Sequence, residues 1–220
     1  KKYTPLYVVD GQQRLTTAVL LLQAILDLID ERQTLNYTSK SEILKKYVFE
    51  SKDGGISRSY IFGYDKDNPS DEFLKTRIFG APSDNHSVIE ETIYTRNLAK
   101  AKVFFGERLK PLDHRQIESV FTKVTQNLLF NIFYIEPELD VFVTFETMNN
   151  RGKLLSHLEL LKNRLIYLST KFKIETSERE ALRRAVNESW KSVYHRLGKI
   201  QSSRFDDDTF LNTHFFCYFG

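Results

Sequence analysis

The chain has 220 residues, of which 41% are hydrophobic and 28% are charged, a composition typical of a globular protein with one sizeable core or two small ones. Its formal net charge of +3 is too small to drive nucleic-acid binding through the electrostatic field alone. The single cysteine, Cys217, excludes an intramolecular disulfide framework and fits a reducing cytoplasm, and no apolar run is long enough to span a membrane.

A long apolar helix and a β-hairpin are the main elements predicted in the first third of the chain. Because the helix over Gln12–Arg32 is apolar nearly all round in its middle, we expect it to lie at the centre of the core. A polar stretch, Gln33–Ser41, leads from this helix to the hairpin. The predicted arms are Lys46–Ser51 and Arg58–Tyr64, joined through Asp53-Gly54-Gly55.

Helices dominate the rest of the chain, and their predicted starts are marked by N-cap and capping-box residues. These starts are Asn68 with Pro69, Ser87 with Glu90, Asp113, Ser156 with Glu159, Ser177 with Glu180, and Asp206–Asp208. The apolar stripe expected on the helix after Ser156 is Leu158, Leu161, Leu165 and Leu168. A further helix is expected from Leu139 to Gly152, and Leu129–Ile135 alternates as a strand would. The fold class predicted is α+β, mainly helical with a small sheet.

The most informative segment is Asp10-Gly11-Gln12-Gln13-Arg14, which joins a short apolar strand to the first helix. The first turn of a helix offers unpaired backbone N–H groups and the positive end of the helix dipole. Gly11 lets the backbone approach a ligand closely, and Arg14 adds a fork of donors suited to phosphate oxygens. The pattern indicates a nucleotide or phosphate pocket. The alternative is a structural joint in which Asp10 caps the helix and pairs with Arg14.

A second polar cluster lies at Phe145–Gly152, where a predicted helix ends in two amides and an arginine. One interpretation is that Asn149, Arg151 and Lys162 face the Gln12–Arg14 turn and complete its pocket. The other is an ordinary helix C-cap, with asparagine and glycine in left-handed geometry and a cation near the last carbonyls.

Together, the segments VDGQQRLTT and FETMNNRGKLLSHLELLKN resemble the N-terminal domain of GmrSD-type restriction proteins. The resemblance implies a ParB/sulfiredoxin-like, nucleotide-binding DGQQR core over residues 1–136, with a helical continuation, a bundle packed on the same core, over residues 137–220. It also implies that the chain binds and hydrolyses a nucleoside triphosphate, with Mg²⁺, as the regulatory module of a modification-dependent DNA restriction or phage-defence protein.

The resemblance makes Asp10–Arg14 the nucleotide-binding and hydrolytic motif, and we predict catalytic roles for Asp10, Gln13 and Arg14 and a metal-binding role for Asp10. The nucleotide-binding set that it implies is Asp10, Gly11, Gln12, Gln13, Arg14, Thr17, Asn149, Arg151 and Lys162. In this mechanism the backbone N–H groups and Arg14 hold phosphates, Asp10 positions Mg²⁺ or the attacking water, and Gln13 orients that water. The sequence contains no GxxxxGK[ST] motif, so a P-loop enzyme is excluded.

Family members of this kind carry a further segment before the DGQQR strand and a separate HNH-type nuclease domain. The five histidines of this chain are scattered and have no HNH or zinc spacing. The resemblance implies that DNA and an HNH-type nuclease domain or subunit are the partners. A membrane is not expected, an oligomer is an option, and both ends are expected to continue into a longer protein. Two alternatives stay open. One is a non-catalytic nucleic-acid-binding module using basic residues from Arg183 to Arg196, and the other is an interaction domain using the aromatic end at Phe215–Phe219.

Overall fold

The computed structural model describes residues 6, 8, 11–52, 57–64, 69–82, 92–134, 156–200 and 205–220. Two compact units divide the chain, Lys1–Ile132 and Phe133–Gly220. Helices contain most of the described residues, and two antiparallel pairs of short strands contain a few. The predicted α+β fold class, mainly helical with small sheets, is therefore confirmed. Several predicted features lie outside the described residues: the turn Asp53-Gly54-Gly55, Asn68, the Ser87–Glu90 box and the helix Leu139–Gly152.

Helix α1, Gln12–Leu28, forms the centre of the first unit, as predicted. Its middle is buried on nearly all sides, because apolar residues occupy almost every position from Val19 to Leu26. The helix ends at Leu28 and not at Arg32, so the predicted C-terminus is wrong. Ile29 is buried but takes an extended backbone (φ −96°, ψ 141°), which turns the polar residues that follow out of the helix.

A short β-hairpin follows that the sequence did not predict, with strand β1 at Thr34–Leu35 and strand β2 at Thr38–Ser39. Its turn residues, Asn36 and Tyr37, both have left-handed backbones, with φ of 48° and 61°. A two-residue hairpin turn of type I′ requires this geometry, and glycine is the usual second residue. The Asn36 side chain donates from Nδ2 to Thr122 Oγ1 over 2.8 Å, so a tertiary contact holds the turn in place.

The predicted hairpin in the Lys46–Tyr64 region is confirmed, although its arms are shorter than expected. Helix α2, Lys40–Tyr47, begins with a capping box at Ser39 and takes up the start of the predicted first arm. Strand β3, Phe49–Lys52, then pairs antiparallel with strand β4, Ser57–Tyr60. The second arm ends at β4, so the residues up to Tyr64 continue as non-strand chain.

Two helices of the first unit end as the sequence predicts. Helix α3, Pro69–Phe73, begins with its proline at the first helical position and continues as one π-helical turn, Leu74–Ile78, before the left-handed Gly80. Helix α4, Ile93–Leu109, ends where expected. It begins at a capping box formed by Thr92, so the predicted start near Ser87 is wrong for this helix.

Helix α5, His114–Thr122, is capped by Asp113 as predicted and continues as a π-helical turn, Lys123–Asn127. The residues that follow, 128–134, form no strand with any part of the chain that the structure describes. The predicted strand Leu129–Ile135 is therefore wrong over these positions. Alternating apolar residues become a strand only where a partner strand accepts their backbone hydrogen bonds.

The core of the first unit forms where α1 packs against α2, α4 and α5. Its most completely buried apolar side chains are Ile25, Leu26, Leu35, Ile43, Val48, Leu74 and Ile78. Each such side chain contributes about 1.5–3 kcal/mol relative to an exposed position. Because its middle is fixed by this core, α1 presents its first turn from a rigid support.

The second unit contains helix α6, His157–Lys171, helix α7, Thr176–Lys199, and helix α8, Asp207–Phe219. The capping box of Ser156 with Glu159 is confirmed at the start of α6, and Asp206 caps α8 as expected. Helix α7 begins one residue before the predicted box: Glu175 is its cap residue and makes no side-chain capping bond, so the Ser177–Glu180 prediction is wrong.

The buried face of α6 differs from the predicted leucine stripe. Leu158 is buried as expected, but Leu165 and Leu168 are each 37% exposed, while Ile166 and Ser169 are buried in their place. Leu165 and Leu168 recur at helical spacing, and so do Ile166 and Ser169. Spacing alone therefore does not determine which face of a leucine-rich helix is buried, and the packing of neighbouring helices determines it. Those neighbours are α7 and α8, and Trp190 of α7 donates from Nε1 to the backbone oxygen of Leu158 over 3.1 Å.

Two carboxylates at the start of α8, those of Asp207 and Asp208, form hydrogen bonds with residues at the start of α6. Asp208 accepts hydrogen bonds from the backbone N–H of His157 (2.7 Å) and pairs with its Nδ1 (3.0 Å). Ser156 donates from Oγ to Asp207 over 3.2 Å. Acidic groups at the start of a helix also accept hydrogen bonds from its first N–H groups and interact favourably with the positive end of its dipole. The His157 hydrogen bond lowers the pKa of Asp208, whereas burial raises the pKa of Asp207.

Candidate functional site

The predicted site lies at the exposed start of α1, where the backbone changes handedness. Gly11 is the N-cap residue, with φ 87° and ψ 6°, and Gln12 begins the right-handed helix. Leu15 N–H donates to Gly11 O over 3.0 Å, which closes the first helical turn. Glycine has no side chain with which to cap the helix, so it leaves the first-turn N–H groups to other acceptors. Asp10, the predicted metal-binding and catalytic residue, lies outside the described residues.

The guanidinium group of Arg14 folds back over Gly11. A Cβ atom added at Gly11 would lie 3.5 Å from Arg14 Nη2, 3.7 Å from Nε and 3.9 Å from Cζ. The donors of Arg14 therefore lie beside the left-handed backbone that begins the helix. The sequence predicted that a ligand approaches the backbone at Gly11 and that Arg14 supplies donors to phosphate, and the structure places these two groups next to each other. Their role in ligand binding stays a prediction.

Three polar side chains of the first turns each donate a hydrogen bond within the chain. Gln12 donates from Nε2 to Val8 O over 2.7 Å, which ties the first turn of α1 to the segment before it. Thr16 and Thr17 donate from Oγ1 to the carbonyl oxygens of Gln12 and Gln13, over 2.8 Å and 2.7 Å. The Thr17 hydroxyl donates its one proton to Gln13 O, so its oxygen keeps lone pairs with which it can accept a hydrogen bond.

The two glutamines of the motif therefore differ in what they can do. The Gln12 amide nitrogen donates one of its two protons to the Val8 carbonyl, which restrains the position of this side chain. The Gln13 side chain is exposed, as are those of Arg14 and Thr17. The exposed set on this face thus contains an amide, a guanidinium and a hydroxyl, three groups that interact well with phosphate oxygens, water or a cation.

Tyr64 is a residue beside this site that the sequence did not single out. Its hydroxyl lies 3.3 Å from Thr16 Oγ1, and burial raises its pKa above the ordinary value for tyrosine. The contact joins residues 48 positions apart in the sequence, so no local pattern indicates it. The one sequence feature that could have drawn attention to Tyr64 is the aromatic segment Phe62-Gly63-Tyr64 after β4.

Of the residues predicted to complete the pocket, Asn149, Arg151 and Lys162, the structure describes Lys162. Asn149, Arg151 and Gly152 lie outside the described residues. Lys162 is in α6, is half-buried, and has its pKa lowered by that burial. A pKa shift of this kind occurs at functional sites, although structural lysines show it too. The interpretation that this cluster faces the Gln12–Arg14 turn stays a prediction.

Neither a metal cluster nor a membrane helix occurs in the part of the chain that the structure describes. No three side chains among its histidines, cysteines, aspartates and glutamates are grouped so as to hold a metal ion. None of its helices combines the length and the apolar character needed to cross a bilayer. A Mg²⁺ ion that arrives with a triphosphate needs only one or two carboxylates, because phosphate oxygens and water complete its coordination.

Comparison with known proteins identifies a family for this chain. Residues 1–166 match the family described as GmrSD restriction endonuclease, N-terminal domain, and this range contains both polar motifs. No curated protein matches the chain, and no solved structure matches it. The family match covers more than half of the 220 residues and confirms the resemblance drawn from the two motifs. The chain therefore belongs to the family of GmrSD restriction endonuclease N-terminal domains.

Proposed function

We propose that the protein binds a nucleoside triphosphate at the start of α1 and hydrolyses it, as the regulatory module of a modification-dependent DNA restriction protein. One observation carries the proposal: the left-handed backbone of Gly11 lies under the guanidinium of Arg14 at the exposed end of a core helix. The family match supports the restriction role, because its description names a restriction endonuclease.

The phosphates would be held by the backbone and by Arg14. A left-handed residue followed by a right-handed one aims consecutive N–H groups toward the same side, which is the backbone geometry of anion-binding concavities. Gly11 and Gln12 have this alternation. The helix dipole adds partial positive charge at the same place, and Arg14 supplies full charge with several donors. The three contributions reinforce one another for a polyanion.

Hydrolysis would depend on Asp10 and Gln13. Asp10 precedes Gly11 in the chain, and we assign its carboxylate to Mg²⁺ or to the attacking water. Bound Mg²⁺ would neutralise charge on the phosphates. Both side chains are exposed, but Gln13 is the better candidate for orienting water, because the Gln12 amide already donates a hydrogen bond to Val8 O. The oxygen of Thr17 retains lone pairs for a cation ligand.

Three further residues stay in the proposed nucleotide-binding set on the strength of their chemistry. Asn149 and Arg151 offer an amide and a guanidinium, and Lys162 offers an ammonium group whose pKa is lowered by burial. Each can donate hydrogen bonds to phosphate or ribose oxygens.

Phosphate release by the purified chain tests the proposal. Gln13→Ala is expected to slow hydrolysis of the Mg²⁺-bound triphosphate by about 100-fold, because it removes only the group that orients water. Triphosphate affinity should stay within about twofold of the unsubstituted protein, since in this proposal Gln13 contributes to phosphate binding through its backbone and its side chain orients water. Asp10→Asn should also stop hydrolysis. Equal phosphate release by the unsubstituted protein and both variants would remove the catalytic assignment.

Nucleic-acid binding without catalysis is the second candidate function, and the exposed basic residues of α7 favour it. Arg183, Arg184 and Arg196 are all exposed on this helix. Binding through them would weaken steeply with salt, because each phosphate contact releases counterions. Suppose that DNA binding is observed at low salt and lost at higher salt, and that no triphosphate binding is observed at any salt concentration. This result would favour nucleic-acid binding over the NTPase.

A protein-interaction role is the third candidate, and it follows from the surface of α8. Phe216, Tyr218 and Phe219 are 79%, 75% and 74% exposed, and Cys217 between them is exposed too. Exposed aromatic clusters of this kind mark interaction surfaces. Co-purification of the chain with an HNH-type nuclease subunit, lost on Phe216→Ser, would support this role, and unchanged co-purification would exclude α8 as the contact.

A further inference from the structure

Tyr64 reaches the first turns of α1 from another part of the first unit. It follows strand β4, its side chain packs beside the core, and its hydroxyl lies 3.3 Å from the hydroxyl of the buried Thr16. The ring of Phe62 meets the ring of Tyr64 edge-on, with ring centroids 6.1 Å apart. This packing holds the phenol in place independently of any ligand.

The hydrogen bonds around Thr16 have a defined direction. Thr16 Oγ1 donates its proton to Gln12 O over 2.8 Å. A hydroxyl group has only one proton, so in the contact with Tyr64 the threonine oxygen must be the acceptor and the phenol the donor. Burial raises the pKa of Tyr64, which keeps this donor protonated across the physiological range. A chain of two hydrogen bonds therefore runs from Tyr64 through Thr16 to Gln12.

Gln12 extends this chain to the residues before the helix. Its side-chain Nε2 donates to Val8 O over 2.7 Å, and its backbone follows the left-handed Gly11. The Tyr64 hydroxyl is thus one end of a hydrogen-bond network that runs through Thr16 and Gln12 to the backbone oxygen of Val8. A phosphate site needs its donors fixed before the ligand arrives. This network restrains Gln12, one of the residues whose backbone N–H lies in the first turn.

We infer that Tyr64 is a positioning residue of the triphosphate site: it holds the first turn of α1 in its phosphate-binding geometry without touching the ligand. The inference rests on the proposed function. It goes beyond it because it assigns a role to a residue outside both sequence motifs.

Tyr64→Phe tests the inference, because it removes the donor and keeps the ring. We expect triphosphate affinity to fall about threefold, the low end for one hydrogen bond, since 3.3 Å is long for a bond between two hydroxyl groups. Tyr47→Phe is the matched control. Tyr47 is also partly buried in the first unit, and its hydroxyl makes no hydrogen bond with the described residues, so its loss should leave affinity unchanged.

A double-mutant cycle with Thr16→Val separates positioning from general destabilisation. Thr16→Val removes the hydroxyl that accepts from Tyr64, so adding Tyr64→Phe to it should weaken binding by much less than threefold. Thr16→Ser keeps the hydroxyl and should restore the full effect of Tyr64→Phe. Additive effects in both backgrounds would overturn the inference.

Amide hydrogen exchange in the absence of nucleotide gives the second readout. The Leu15 amide donates to Gly11 O, so Tyr64→Phe should speed its exchange, whereas Tyr47→Phe should not. Unchanged exchange at Leu15, or faster exchange with unchanged triphosphate affinity, would overturn the inference. Failure of the proposed function would look different, because the unsubstituted protein itself would then bind no triphosphate.

Discussion

Replacing Gly11 with alanine tests the backbone geometry on which the site depends. Gly11 has φ 87°, a conformation that costs an L-residue about 1–2 kcal/mol. The added methyl group would meet Arg14 Nη2 at 3.5 Å, which is an ordinary van der Waals distance, so a clash contributes little. Alanine also restricts the unfolded chain, which returns roughly 0.4–1 kcal/mol. We therefore expect Gly11→Ala to lower the free energy of unfolding by about 1 kcal/mol.

Two other glycines provide matched controls for this substitution. Gly80 has φ 63° with no atom within 4 Å of an added Cβ, so Gly80→Ala should impose similar strain away from the site. Gly106 lies inside α4 with equally open space and no left-handed backbone, so Gly106→Ala should raise stability by about 0.5–1 kcal/mol. The sign of the effect should thus depend on φ and not on the loss of glycine itself.

Urea denaturation followed by circular dichroism, together with triphosphate binding, measures both consequences. Gly11→Ala should lose stability and at least tenfold in affinity, because a methyl group would stand where the backbone approaches phosphate. Gly80→Ala should lose stability alone. If Gly11→Ala were as stable as the unsubstituted protein, the inference that the backbone at position 11 strains an L-residue would be refuted. If Gly80→Ala lost as much triphosphate affinity as Gly11→Ala, the location of the site would be refuted.

Three further predictions follow from single residues. Tyr37→Gly should raise stability by about 1 kcal/mol in urea denaturation, because Tyr37 has φ 61° and is 100% exposed; a lower stability would contradict this. Lys162→Met should raise the melting temperature by about 2–4 °C, since burial disfavours the charged amine, and a lower melting temperature would oppose that reasoning. Because hydrogen bonding to His157 lowers the pKa of Asp208, its stabilisation is present above the ordinary pKa of 3.8 and fades as pH falls below it. Asp208→Asn should therefore destabilise the protein at pH 7 and have little effect near pH 2 in thermal melts, whereas a pH-independent effect would exclude this linkage.

The features predicted correctly from the sequence are those set by neighbouring residues. Asp113, Ser156 and Asp206 each cap a helix, because a capping side chain bonds to a backbone N–H only two or three positions further on. Local chemistry was sufficient in each of these cases.

The features that the sequence did not predict depend on distant residues. The hairpin turn at Asn36 is held by Thr122, and its tyrosine stands where glycine is usual. Leu165 and Leu168 fit an apolar stripe as well as the buried Ile166 and Ser169 do. The packing of α7 and α8 therefore determines which face of α6 is buried. Tyr64 reaches the site through tertiary packing, and no spacing rule connects it to Thr16.

Calorimetric titration of Mg²⁺-bound triphosphate into the chain, with and without Arg14→Ala, is the most direct test of the central claim. Loss of a charge-assisted hydrogen-bond donor should weaken binding by about 10- to 100-fold. Arg32→Ala is the matched control, because Arg32 is also exposed but follows the far end of α1, and it should bind as the unsubstituted protein does. Absence of binding by the unsubstituted protein, or equal binding by Arg14→Ala, would contradict a triphosphate site at the start of α1.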